Sequence, residues 1–245
     1  MTLSITVLGS SGSYAGPGNP CSGYLVADGD RTVWLDCGPG TLGPLQEHVD
    51  LADLNAVVVT HSHPDHSLEV PVLRNALKYL IGREGLPVYG PADTRARVEA
   101  ALGATVAPTL DWREVSDGST FTVGPLAFWC SRTDHPVETM AIRVADDAGR
   151  AIAYSSDTGP AWSFDRFGAS IGLALCEASL PADEEGTFQH LSGRQAGEWA
   201  RDVAAGRLVI THLLPGTDAE ARRREAEEAF GGPVEVATPG ARYRP

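Results

Sequence analysis

Positive charge is scarce in this 245-residue chain: 19 Lys and Arg stand against 32 Asp and Glu, for a formal charge of −13. A protein of that sign repels a polyanion except where cations or local basic groups compensate, so long nucleic acid is a disfavoured partner. The densest basic stretch, Arg222-Arg223-Arg224, is interleaved with Glu220, Glu225, Glu227 and Glu228 at helical spacing. It reads as a solvated face laced with ion pairs. No run of about 18 apolar residues exists to span a bilayer, and the N-terminus lacks a basic segment followed by an apolar signal core. The expectation is a cytoplasmic protein without a membrane partner. Cysteine is sparse as well. Cys21, Cys37, Cys130 and Cys176 form no CxxC pair, which suggests reduced, buried thiols. Internal repeats and low-complexity segments are absent. The length suffices for a sizeable core, and one domain over residues 1–245 is expected.

What the chain does have is a concentration of histidine. Of seven histidines, three fall in His61-Ser62-His63-Pro64-Asp65-His66, directly after the apolar run Leu54-Asn55-Ala56-Val57-Val58-Val59-Thr60. Neutral imidazole and carboxylate are good ligands for zinc and similar first-row ions. Four such groups on one strand-end loop can face two adjacent ions. Isolated histidines in a solvated loop would carry no such meaning.

Strands and helices alternate along the rest. Leu3 to Leu8 reads as a strand, Gly9 to Pro20 as an irregular glycine-rich loop, and Tyr24 to Ala27 and Thr32 to Asp36 as strands joined by an Asp28-Gly29-Asp30 turn. Helices are expected at Val70 to Ile81 and Asp93 to Leu102, then strands at Phe121 to Val123, Leu126 to Cys130, Ala141 to Val144, Ala151 to Tyr154 and Leu173 to Cys176. Ser192-x-x-Gln195 opens a helix to about Ala205, and Thr217-x-x-Glu220 reads as a second capping box before another helix. Val209 to Thr211 and Val234 to Ala237 complete the strands. Strands followed by helices, twice over, suit an α/β sandwich of sheets covered by helices.

The His-x-His-x-Asp-His pattern of His61, His63, Asp65 and His66 resembles the signature of the metallo-β-lactamase superfamily, and the likeness extends from Ile5 to about Tyr243. It implies a four-layer αββα fold and further metal ligands on later strand ends. The matching residues are His135 in Arg132-Thr133-Asp134-His135-Pro136, Asp157 in Ser155-Ser156-Asp157-Thr158-Gly159 and His212 in Ile210-Thr211-His212-Leu213. The resemblance assigns His61, His63 and His135 to one ion and Asp65, His66 and His212 to the other, with Asp157 bridging. Two divalent ions per chain are implied. Zinc is the default for such ligands, and manganese or iron fits them equally.

Thr187-Phe188-Gln189-His190-Leu191-Ser192 is similar to the catalytic-histidine motif of the transfer-RNA 3′-endonuclease (ribonuclease Z-like) branch and its phosphodiesterase relatives, with Glu177 in Leu175-Cys176-Glu177-Ala178-Ser179 as the acid that orients the ring. Taken alone, a histidine at this place is more often a helix-capping or surface residue than a catalyst; Glu177 and the complete metal set reverse that reading. The implied mechanism is attack by a metal-bridging hydroxide held by Asp65, with His190 donating to the leaving oxygen. Asp36 is open between a partner for His61 and His63 and a turn residue before Cys37-Gly38. The Gly9 to Pro20 loop could bring N–H groups to a phosphate or be a plain glycine-rich loop. Val7-Leu8-Gly9-Ser10-Ser11-Gly12-Ser13, Ser22-Gly23-Tyr24-Leu25 and the motifs around Asp157 and Glu177 look like a chiefly actinobacterial group that includes cyclic-nucleotide phosphodiesterases. A small phosphodiester, such as 3′,5′-cyclic AMP, is therefore the expected substrate. Gly90 to Asp134 leaves no room for the protruding basic arm of transfer-RNA endonucleases, which together with the charge ranks RNA second. A thioester, lactone or β-lactam hydrolase would use the same metals, but His190 with Glu177 disfavours it. A non-catalytic metal-binding relative would be expected to lack a ligand or His190, and none is missing. Homodimerisation is compatible with the family.

Overall fold

The computed structural model describes Thr2–Pro245. Fourteen strands form two seven-stranded sheets. The first contains β1 (Ser4–Gly9), β2 (Gly23–Asp28), β3 (Arg31–Leu35), β4 (Ala56–Val58), β5 (Leu86–Gly90) and β6 (Leu110–Glu114), with β14 (Arg242–Tyr243) on its edge. The second contains β7 (Thr120–Val123), β8 (Leu126–Arg132), β9 (Met140–Ala145), β10 (Ala151–Tyr154), β11 (Leu173–Glu177), β12 (Leu208–Thr211) and β13 (Val234–Val236).

Each sheet changes from antiparallel to parallel part-way across. The β2–β3 hairpin pairs Asp28 with Arg31 around Gly29, whose φ of 66° is available at no steric cost to glycine. From β3 to β6, and from β10 to β13, the pairing is parallel. Parallel neighbours end on one edge of a sheet, and the loops leaving those ends meet there. That is the edge on which the chemistry-bearing residues collect.

Ile5, Val7, Tyr24, Val33 and Leu35 of the first sheet interleave with Phe128, Ile142, Ile152, Leu173 and Val209 of the second, forming the core between the sheets. The opposite faces are covered by helices. The first sheet carries α1 (Leu42–Leu45), α2 (Pro64–Ser67), α3 (Val70–Ala76) and α4 (Ala92–Leu102), packed through Trp34, Val57, Leu73, Leu77 and Val98. The second carries α5 (Gly193–Asp202) and α6 (Ala219–Phe230), packed through Cys176, Ala196, Ala200, Ile210 and Ala226. Gly193 and Gly197 let α5 approach α6 until a methyl group at either would collide with the carbonyls of Arg222 or Ala226. The layers are αββα.

Some local expectations need correction. The helix expected from Val70 to Ile81 is α-helical only to Ala76 and continues as one π-helical turn over Leu77–Ile81. Ser192 and Gln195 do form a reciprocal capping box on α5. On α6 the cap is Asp218, whose carboxylate accepts from Ala221 N, so Thr217 lies outside the helix and makes no box. An acceptor one residue nearer the first turn takes precedence. All four cysteines are free and buried, and among the described residues no helix is long and apolar enough to cross a membrane.

Candidate metal centre

Pro64 occupies the first turn of α2, where its missing N–H costs nothing, and an extended His63 leads into it. The motif is thereby divided. His61 and His63 precede the helix, while Asp65 and His66 lie on it. The donor atoms of His61, His63, His135 and Asp157 lie within 4.8 Å of one another, and so do those of Asp65, His66, Asp157 and His212. Asp157 belongs to both sets through different oxygens. Its Oδ2 faces His61 Nε2 at 3.6 Å and His135 Nε2 at 3.9 Å; its Oδ1 faces His66 Nε2 at 3.2 Å and His212 Nε2 at 3.4 Å. A carboxylate so placed can serve two cations at once.

The donors also have the unmet valence a metal requires. His61 Nε2, His66 Nε2 and Asp157 Oδ1 are fully buried without a hydrogen bond, a condition that costs free energy unless another partner supplies it. Burial, with the adjacent imidazole of His66, holds His61 well below the usual histidine range and keeps it neutral, as a ligand must be. Burial opposes a charge on His66 too, yet Asp157, Asp65 and Asp36 together pull its pKa well above the ordinary value. The pocket demands positive charge. The residues present therefore fit two divalent ions.

Hydrogen bonds to the far ring nitrogens fix which nitrogen points inward. Asp36 is fully buried at φ 58°, and its Oδ2 accepts from His66 Nδ1 at 2.8 Å. The carboxylate also takes Thr60 N at 2.8 Å, Thr60 Oγ1 at 3.0 Å and the Tyr154 hydroxyl at 3.1 Å. Asp36 is thus a partner of a histidine of the cluster, but of His66 rather than His61 or His63. His61 Nδ1 meets Thr60 Oγ1 at 3.0 Å, and His63 Nδ1 lies 3.1 Å from His135 Nε2. The parallel pairing of β3 with β4 explains the difference, because it sets Asp36 beside the start of the ligand loop and under α2.

On the other side, His190 Nδ1 lies 3.0 Å from both oxygens of Glu177. Glu177 ends β11, is fully buried, and also accepts from Thr158 N at 2.6 Å, Ser179 Oγ at 2.8 Å and Leu191 N at 3.3 Å. Burial pulls the His190 pKa down, but the Glu177 carboxylate prevails and pushes it up to about 9. The carboxylate thus favours the cationic form of the imidazole. Its ring centre is 5.5 Å from those of both His135 and His212.

The fold has its counterpart among known proteins. Residues 31–213 match the model of the "Beta-lactamase superfamily domain". The chain belongs to the beta-lactamase superfamily. It is a metallo-hydrolase of the metallo-β-lactamase fold. It is 36% identical over 244 residues to a protein of Mycobacterium tuberculosis, covering 96% of this chain and 89% of that one. It is 30% identical over 243 residues to the probable metallo-hydrolase YhfI of Bacillus subtilis, covering 97% and 98%. The crystal structure of that Bacillus protein superposes with a TM-score of 0.91 at 29% identity, over 100% of both chains. A ribonuclease Z of Methanopyrus kandleri is 28% identical over 265 residues, covering 93% of each.

Three residues of this superfamily member's site were not singled out from sequence. Thr60 links Asp36 to His61. Ser179 Oγ lies 2.9 Å from His212 Nδ1 while facing Glu177 Oε2, so with its hydrogen on the carboxylate it accepts from Nδ1–H and leaves His212 Nε2 free to bind. Ser13 N–H donates to Asp65 Oδ2 at 2.8 Å. The glycine-rich loop therefore spends that N–H on a carboxylate. Its N–H groups at Ser10, Ser11, Gly12, Tyr14 and Gly16 are also taken internally, so the plain-loop reading fits better than a phosphate cradle.

Proposed function

We propose that this metallo-hydrolase is a dinuclear-metal phosphodiesterase acting on small phosphodiesters, with a 3′,5′-cyclic nucleotide such as cyclic AMP as substrate. The observation that carries the reading is the Glu177–His190 pair, a cationic imidazole anchored by a buried carboxylate and set against the edge of the His/Asp cluster. Ester hydrolysis at phosphorus builds negative charge on the non-bridging and leaving oxygens, and a positive donor at that edge answers it.

His61, His63 and His135 would hold one divalent ion, Asp65, His66 and His212 the other, and Asp157 both. Ions so held supply Lewis acidity and bring the pKa of water toward neutrality. The chain's own groups do the rest. Asp65, held well below the usual carboxylate range by His66 and His212 despite its burial, is an acceptor at all working pH and orients the attacking water. His190, its Nδ1–H spent on Glu177, donates from Nε2 to the departing oxygen. Glu177 positions that ring.

The charge of −13 weighs against RNA, and residues 90–134 are taken up by the elements from the end of β5 to β8. Turnover of bis(p-nitrophenyl) phosphate and of 3′,5′-cyclic AMP by zinc- and manganese-loaded protein, with a precursor transfer RNA in parallel, tests the reading. Hydrolysis of both small esters and not the RNA is expected. Cleavage of the RNA alone would transfer the assignment to a ribonuclease Z-like endonuclease, and turnover of neither ester would overturn it.

A further inference from the structure

Two exposed aromatic residues adjoin, along the chain, residues that contact the His/Asp cluster. Phe188 is the only one of six phenylalanines that is exposed, at 67%, and Tyr14 is 60% exposed. Leaving such area in water forgoes the burial that phenylalanines elsewhere in the chain obtain.

Neither ring sits on a loose tip. Thr187 Oγ1 bonds the Glu184 carbonyl at 2.7 Å, and Gln189 Nε2 bonds Asp134 Oδ1 at 3.0 Å, so both neighbours of Phe188 are fixed. The Gln189 carbonyl lies 3.4 Å from His135 Nδ1, which places Phe188 beside the His135 end of the site. Tyr14 follows Ser13, whose N–H bonds Asp65, and Gly12, which packs against the His212 ring. Its own N–H and carbonyl are held by Gly12 O at 2.7 Å and Ser11 Oγ at 2.7 Å. His190 stands between, equidistant from His135 and His212. Phe188 and Tyr14, both exposed, therefore leave the backbone near opposite ends of the row formed by His135, His190 and His212.

The polar groups around this mouth are committed elsewhere. Asp36, Thr60, Ser179, Glu177 and the Ser13 N–H all bond one another or the metal-facing side chains. Beside them, Phe188 and Tyr14 offer exposed aromatic surface to the non-phosphate part of a substrate. A flat π-face selects a flat partner, and base–aromatic stacking tolerates any base because every base has one.

We propose that Phe188 and Tyr14 are stacking platforms for the aromatic base of a nucleoside phosphodiester, which makes the substrate a base-bearing ester rather than a simple alkyl or sugar phosphodiester. This rests on the phosphodiesterase reading, which concerns the reacting centre alone.

The test compares 3′,5′-cyclic AMP with its abasic analogue, 1-deoxyribose 3′,5′-cyclic phosphate, which has the same reacting ring and no base. Conversion of each diester to its monoester is followed by phosphorus NMR for the metal-loaded wild type, Phe188→Ala, Phe188→Tyr and Tyr14→Ala. The ratio of kcat/KM for cyclic AMP to that for the analogue is expected to fall about 5- to 150-fold in each alanine variant, through KM for cyclic AMP, and to return with Phe188→Tyr. An unchanged ratio in either alanine variant, while the wild type still hydrolyses the diesters, overturns the stacking proposal and leaves the phosphodiesterase reading standing. Hydrolysis of neither diester by the wild type overturns both.

Discussion

Asp36 offers the sharpest perturbation, because it touches no metal-facing atom and yet decides which nitrogen of His66 does. It accepts four hydrogen bonds, from His66 Nδ1, Thr60 N, Thr60 Oγ1 and Tyr154 OH, in a site with no exposure. Asp36→Ala leaves at least three buried donors without a partner. At about 1–3 kcal/mol each, the loss is about 3–9 kcal/mol, comparable with the whole stability of a domain. Asp36→Asn is the informative variant. Asparagine tolerates the positive φ, keeps the volume, and can still accept from Thr60 N through its amide oxygen. Its amide nitrogen then faces His66 Nδ1 at the position now occupied by Oδ2. The histidine must shift its proton to Nε2, the atom aimed at Asp157. Affinity for one of two ions is expected to fall about 10- to 100-fold, roughly 1.4–2.7 kcal/mol, with the other ion little affected. Zinc titration against a competing chelator measures this, and circular dichroism checks the fold. A folded Asp36→Asn protein that binds both ions with unchanged affinity would refute the reasoning.

Other outcomes follow from the same geometry. In Asp157→Ala both ions are expected to be weakened, since each oxygen serves a different set; elemental analysis finding two tightly held ions would contradict that. For Glu177→Gln the sign is set by the carboxylate, which raises the His190 pKa to about 9, so that the ring is charged below that pH and loses its proton above it. With the partner neutral the ring reverts toward about 6.5 or lower, and the charged fraction at pH 8 drops from about 90% to about 3%. Bound cations shift both proteins alike, so the measured quantity is the displacement of the basic limb of the pH–rate profile to lower pH, and coincident limbs would count against the pairing. Gly12→Ala would put a methyl group 2.8 Å from His212 Nδ1 and 2.7 Å from its carbonyl oxygen. Loss of about 1–3 kcal/mol in stability and weaker metal binding are expected from melting and titration, and a variant equal to wild type in both would contradict the packing.

The sheets were legible wherever a strand is apolar and bounded by turn residues, as at Leu3 to Leu8 or Ala151 to Tyr154. Leu86–Gly90, Leu110–Glu114 and the two-residue Arg242–Tyr243 were not, because Pro87, the charged residues Asp111, Arg113 and Glu114, and sheer shortness hide them; parallel pairing to a neighbour for the first two, and an antiparallel edge for the third, make them strands where local pattern does not. Asp218 displaced Thr217 as the α6 cap through a choice between adjacent acceptors that spacing alone does not resolve. The seven candidate ligands could be picked out because they are chemically rare side chains, and the structure brings all seven together. Their supports are common ones. Thr60 and Ser179 look like any hydroxyl residue in sequence and acquire meaning only from the 3.0 Å and 2.9 Å approaches to His61 and His212. Asp36 stood out as a candidate but its partner did not, since the choice among three histidines depends on how α2 folds back over the end of β3.

If His190 acts on substrate from outside the metal set, removing its ring slows the chemistry and leaves the ions in place. Turnover of bis(p-nitrophenyl) phosphate by His190→Ala, with the metal content of the same preparation determined alongside, tests this. Two ions per chain are expected to remain while kcat falls about 10²- to 10⁴-fold, the usual worth of a positioned proton donor. Loss of an ion from the variant, or full turnover with both ions in place, would contradict it.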